Sequence, residues 1–72
     1  MTIGWAKEGS KYVWDTWIGD AQVRYIVKLD SPRWAIYRKV MGAANHDLQH
    51  IGTSWSPEDA KEFAENDQEK GL

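Results

Sequence analysis

No cysteine occurs in these 72 residues, so neither a disulfide nor a zinc–thiolate site is available to brace the fold. The same absence removes thiol chemistry, and the serines at 10, 31, 54 and 56 fall where turns and caps need them. No apolar run approaches the ~20 residues of a membrane-spanning helix. The start, Met1-Thr2-Ile3-Gly4-Trp5, has no basic n-region and no apolar h-region, so the expectation is a soluble cytoplasmic protein. Glycine-rich phosphate loops are missing too, since Gly42-Ala43-Ala44 is not one. A chain of this size buries only about 60% of the surface it exposes when unfolded, and it must find its stability elsewhere.

What it has instead is tryptophan. Trp5, Trp14, Trp17, Trp34 and Trp55 are five in 72 residues, and each can bury roughly 150–250 Å². Charge is unevenly spread. Residues 1–55 hold seven Lys/Arg against five Asp/Glu, whereas residues 56–72 hold two against six. A mildly basic body therefore precedes an acidic tail, within a formal net charge of −2.

Along the chain, residues 1–10 read as a lead carrying Gly4, Gly9 and Ser10, with Trp5 as an anchor. Tyr12 to Ile18 is aromatic and β-branched throughout, as strands are. Gly19-Asp20 signals a turn. Gln22 to Leu29 alternates strictly, with Val23, Tyr25, Val27 and Leu29 on one face and Arg24, Ile26 and Lys28 on the other. Asp30-Ser31-Pro32-Arg33 is a second turn, in which Pro32 presets φ. Trp34 to Val40 is a third strand, with Trp34, Ile36 and Val40 opposite Ala35, Tyr37 and Lys39.

Met41 to Thr53 is ambiguous between a short helix, suggested by Ala44, Leu48 and Ile51, and a short fourth strand through Leu48–Ile51. Gly52 and the β-branched Ile51 and Thr53 favour the strand. Ser56-Pro57-Glu58-Asp59 is an N-cap followed by proline at the first helical position and acids in the first turn. Trp55 is placed to staple onto Ala60. Ala60, Phe63 and Ala64 form a narrow apolar stripe, and the helix should fray near Gln68–Gly71. The expectation is a single α+β domain, β-β-β-(β)-α. An antiparallel sheet of three to four strands spans 11–53, and one C-terminal helix, over 56–67, packs on one of its faces.

The order of these elements, with Tyr25-Ile26-Val27, Trp34-Ala35-Ile36-Tyr37, Gly52 and the segment Ser56 to Glu65, resembles small accessory proteins of actinobacterial phages over residues 12–67. That resemblance implies action by binding a host factor. Three strands and a helix are also similar to the AP2-like arm-binding domain of phage integrases, which implies a sheet lying in a DNA groove. This chain departs from that pattern in lacking dense basic character.

His46-Asp47-Leu48-Gln49-His50 is the one enzyme-like segment. Zinc proteases use His-Glu-x-x-His on a helix; here the acid is aspartate, and no third histidine exists. Surface histidines are the plainer reading. Asp15, Asp20, Asp30 and Asp47 sit singly, as turn formers do. The charges after Ser56 read as a solvated helix face with Glu58–Lys61 and Lys61–Glu65 pairs. No catalytic residue, metal or cofactor is expected.

The second sheet face carries the functional expectation. If the helix covers Trp14, Thr16, Ile18, Tyr25, Val27, Leu29, Trp34 and Ile36, alternation leaves Val13, Trp17, Ile26 and Tyr37 uncovered beside Arg24, Lys28 and Lys39. Exposed apolar patches tend to mark interaction sites, and Trp, Tyr and Arg dominate binding hot spots. The competing structural account folds Ile3 and Trp5 over this face. The expectation is a non-enzymatic module that binds a host protein through Trp17, Arg24, Ile26, Lys28, Tyr37 and Lys39. A homodimer through the same face is a subordinate version, and DNA binding by that face is the alternative.

Overall fold

A computed structural model describes residues 4–41 and 48–71. Five antiparallel strands, β1 (Ala6–Glu8), β2 (Lys11–Ile18), β3 (Ala21–Asp30), β4 (Arg33–Val40) and β5 (Gln49–Ser54), form one sheet in sequential order, followed by helix α1 (Pro57–Lys70). The α+β class is as expected, and β2, β3 and β4 fall where alternation placed them. One strand, β1, was not expected, and β5 runs over Gln49–Ser54 where the sequence placed a strand through Leu48–Ile51. The lead contains β1, too short to show a period of two. The ambiguous segment does supply a strand, although residues 42–47, with His46, Asp47 and Ala44, lie outside the described residues.

Tight hairpins fix the register. Gly9 and Gly19 adopt φ of +64° and +60°, the left-handed conformation that a two-residue hairpin with glycine first requires. β2 and β3 then pair from Lys11↔Lys28 to Ile18↔Ala21, and β3 and β4 from Val23↔Val40 to Asp30↔Arg33. A bulge between Ile36 and Tyr37 shifts the β4–β5 register: Ile36 faces Gly52, but Tyr37 faces His50, leaving Ile51 as the extra residue. The Ser31–Pro32 bond is cis.

The core lies between the sheet and α1. Val23, Tyr25, Val27, Ile36, Ala60 and Ala64 are fully buried and Trp14 nearly so. Small alanines let the helix lie close to the strands. Trp5 joins this layer, its ring centre 5.4 Å from that of Trp14, and its indole N–H donates to Glu65. The lead is thus anchored on the helix side, not over the open face as the competing account had it; Ile3 lies outside the described residues.

α1 starts as its sequence dictates. The Ser56 hydroxyl accepts from the Asp59 N–H, and Pro57 opens the helix. Its end lies beyond the expected fraying point. The Gln68 side chain donates to the Trp17 carbonyl at 3.0 Å, and Gly71, with φ of +84°, terminates the helix. Other expectations for this helix need correction. Trp55 is exposed with the Arg33 guanidinium 4.7 Å from its ring centre, so the indole is engaged by a cation rather than folded into the helix. Phe63 is 41% exposed, its ring lying over Gly52. Lys61 and Glu65 form no ion pair with each other, nor Lys61 with Glu58. Lys61 instead places its ammonium 3.8 Å from the Tyr12 ring centre, and Glu65 is taken by Trp5. Among the described residues no helix is long and apolar enough to cross a membrane.

Candidate functional site

Because side chains alternate along a strand, the register assembles the face opposite α1 into transverse rows. Ala6, Val13, Ile26, Tyr37 and His50 lie directly across from one another over all five strands. Rows two residues away along the strands are roughly 7 Å distant. One of them runs Glu8, Lys11, Lys28, Ala35, Thr53; the other runs Asp15, Arg24, Lys39. Beyond the second comes Trp17, opposite Gln22. The six residues singled out in the sequence, Trp17, Arg24, Ile26, Lys28, Tyr37 and Lys39, therefore do share one face, and no described element packs across it.

The exposures are uneven. Trp17 is 58% exposed, while its backbone carbonyl holds Gln68 on the far side of the sheet. Ile26, Tyr37 and Lys39 are half-buried and Lys28 is exposed. Val13, expected in the accessible patch, is only 6% exposed. With Ala6 of β1 on one flank and Ile26 on the other, it sits in an interior row, and it was the unforeseen β1 that put it there. Tyr37 is the centre of the face, with Lys28 Nζ 5.8 Å from its ring centre and the His50 ring 5.4 Å away on the other side.

Asp15 is not the solitary turn former it looked. Arg24 donates to both its carboxylate oxygens, at 2.7 and 3.1 Å. That hydrogen bond holds the Asp15 carboxyl below its ordinary value of 3.8 and raises the guanidinium in turn. The arginine's charge is thereby matched within the face. Two pairs of cations, by contrast, stand directly opposite each other: Lys11 against Lys28, and Arg24 against Lys39.

A second polar cluster escaped the sequence reading. On the helix side, Asp67 accepts from the Tyr25 hydroxyl at 2.8 Å and from Arg38 at 2.7 Å, and Arg38 reaches Gln49 at 3.3 Å. Burial and the Asp67 carboxylate push the Tyr25 phenol well above its ordinary value of 10.0. The cluster ties α1 to β3, β4 and β5, and it is structural in character. Its signal was present in the sequence: Arg38 continues the apolar positions 34 and 36, and Asp67 continues the stripe 60 and 64. A cation and an acid both at inward positions must meet each other or stay unpaired.

Among the described residues no three His, Asp or Glu side chains gather as a metal site would require. What the open face can do chemically is stack, bury apolar area and attract negative charge. No family model, curated protein or solved structure matches the chain.

Proposed function

We propose that this chain is a non-enzymatic binding module whose open sheet face engages a protein partner bearing negative charge. The observation that carries the reading is the excess of cations on that face, where each charged row holds one acid and two cations, Glu8, Lys11, Lys28 and Asp15, Arg24, Lys39, around an aromatic and apolar row. An anionic partner complements that excess. Trp17, Ile26 and Tyr37 supply apolar contact area of the kind that dominates interface energetics. The resemblance to phage accessory proteins adds that the partner is a host protein, and the setting proposed for it is cytoplasmic.

The test is a double variant, Trp17→Ala with Tyr37→Ala, in affinity capture from host lysate with quantitative mass spectrometry. The variant should keep a cooperative melt and lose the captured protein. Loss of a hot-spot aromatic costs about 2 kcal/mol or more, roughly thirtyfold in affinity. A variant that captures the same protein as efficiently as the parent ends the reading.

Nucleic acid is the second reading, favoured by one observation: the acidic helix packs on the side of the sheet away from Lys28, Lys39 and Arg24. It therefore does not confront a phosphate backbone laid on the open face. Phosphate contacts give a slope of about −0.9 in log affinity against log salt for each one made to duplex DNA. Retention on heparin that is steeply salt-dependent and lost in Lys28→Glu would favour this second partner.

A further inference from the structure

The two edges of the sheet are protected differently. β1 closes one side with three residues, two of them charged, Lys7 and Glu8. Charge on an edge discourages the addition of another strand. β5 closes the other side with Gln49-His50-Ile51-Gly52-Thr53-Ser54, which contains no Lys, Arg, Asp, Glu or Pro. Among the described residues it pairs only with β4, so its outward N–H and C=O groups have no strand partner. Exposed apolar side chains concentrate there as well. Of the five large ones that stand exposed among the described residues, three border this edge: Leu48 just before the strand, Trp55 just after it, and Phe63 over Gly52.

We propose that the outer edge of β5 pairs antiparallel with β5 of a second copy of the chain, joining two five-stranded sheets into one. The register that fits places a two-fold axis between Ile51 and Gly52. Leu48 then lies opposite Trp55 of the second copy, Gln49 opposite Ser54, and His50 opposite Thr53. Strict alternation would forbid this, because residues 48 and 55 would fall on different faces. The bulge removes the conflict. With Ile51 as the extra residue, His50 and Thr53 both lie on the open face, beside Tyr37 and Ala35, while Gln49, Gly52 and Ser54 lie on the helix face. Continuing the alternation puts Leu48 and Trp55 together on the open face. A slip of one residue mismatches the His50 and Thr53 positions, so the register is specified.

Self-complementarity is what selects a second copy over a foreign strand. Each contact occurs twice about the axis, and an isologous pair closes at two chains. A dimer through the open face is disfavoured by the excess positive charge of its rows, two cations to one acid in each, which also invites an anionic partner. Edge pairing leaves that face free and sets two copies of it side by side. It also brings two acidic helices onto one side of the joined sheet, with Asp59 and Glu62 exposed. Salt should therefore tighten the dimer by screening.

Sedimentation velocity of the full chain tests this, over a series from about 5 to about 500 µM that brackets weak and moderate interfaces. Concentration-dependent dimer is expected, stronger at higher salt. Thr53→Lys and, separately, Leu48→Lys should each weaken it by about tenfold or more, since a charge on the edge opposes pairing. Lys7→Ala, on the other edge, should leave it unchanged. Leu48 lies outside the strand, so that variant decides the matter if Thr53→Lys melts early. Amide exchange supplies the location: residues 49–54 should slow at high concentration. A chain that stays monomeric throughout overturns the proposal, as does a dimer that survives both lysine variants or one that leaves the β5 amides unprotected.

Discussion

On the helix side of the sheet, Val23, Tyr25, Val27 and Ile36 are sealed from solvent; one residue further along the same strands, Arg24, Ile26, Lys28 and Tyr37 form the open side. Both faces contain aromatics and both contain charges, so composition does not separate them. Coverage does. On the helix side, Ala60 and Ala64 bring α1 close, Trp5 closes one flank, and the charged groups Arg38 and Asp67 neutralise each other within 2.7 Å. On the open side, only Asp15 and Arg24 are matched in this way among the described residues, and Trp17 is left without cover. Charges that a fold needs for itself are paired inward. The cations Lys11, Lys28 and Lys39 of the open face have no such ion pair among the described residues.

The sharpest way to break this comparison is to truncate one aromatic from each face. Tyr25→Ala should cost about 3–5 kcal/mol, the range for emptying a large buried site, with Asp67 losing a donor as well. That is a large part of the stability of a small domain. Trp17→Ala should fall within about 0.5 kcal/mol of the parent, as surface changes do. Urea denaturation measures both, and similar losses at the two positions would mean that the faces are not distinct.

Phe63 and Gly52 probe the boundary of the covered face. A Cβ at residue 52 would lie 2.8 Å from the Phe63 ring, closer than atoms tolerate. The nearest atom is the tip of a ring that is 41% exposed and can give way, so Gly52→Ala should cost no more than about 1 kcal/mol, the low end of overpacking. Because Phe63 is partly exposed, Phe63→Ala should be milder than a core truncation, and in that background Gly52→Ala should lose its penalty. A double-mutant cycle that shows no coupling between the two positions would remove the ring from over the glycine.

The smallest effect concerns the open face's internal pair. Asp15 has a folded-state value below 3.8, so its contribution to stability is present above the unfolded value and is lost as pH falls through the folded one. Both side chains are nearly half exposed, at 43% and 45%, which limits the pair to about 0.2–1 kcal/mol. Asp15→Asn should destabilise slightly at neutral pH, less in high salt, and not at all once the parent carboxyl is protonated. A difference that persists unchanged in acid would assign the effect to packing instead.

Much of this was legible in the residues because it depends on neighbours along the chain. Period-two alternation is a local property, so the three long strands and the membership of both their faces followed from residues 12–40. Ser56-Pro57 started the helix for an equally local reason, since the cap satisfies backbone N–H groups within one turn. The assignment of Trp17, Ile26 and Tyr37 to a face opposite Trp14, Tyr25 and Ile36 needed nothing more. β1 was illegible because three residues are too few to display a period, and its placement was what buried Val13.

Contacts between residues distant in sequence belong to the tertiary structure alone. Trp5 meets Glu65 across sixty residues, Asp67 collects Tyr25 and Arg38, and Gln68 reaches the Trp17 carbonyl to hold the helix past its expected end. Alternation states that two faces exist but is symmetric between them. Which face is covered was settled by the direction in which α1 crosses back from β5, and the energy of that choice resides in the packing of Ala60 and Ala64 against Tyr25, Val27 and Ile36.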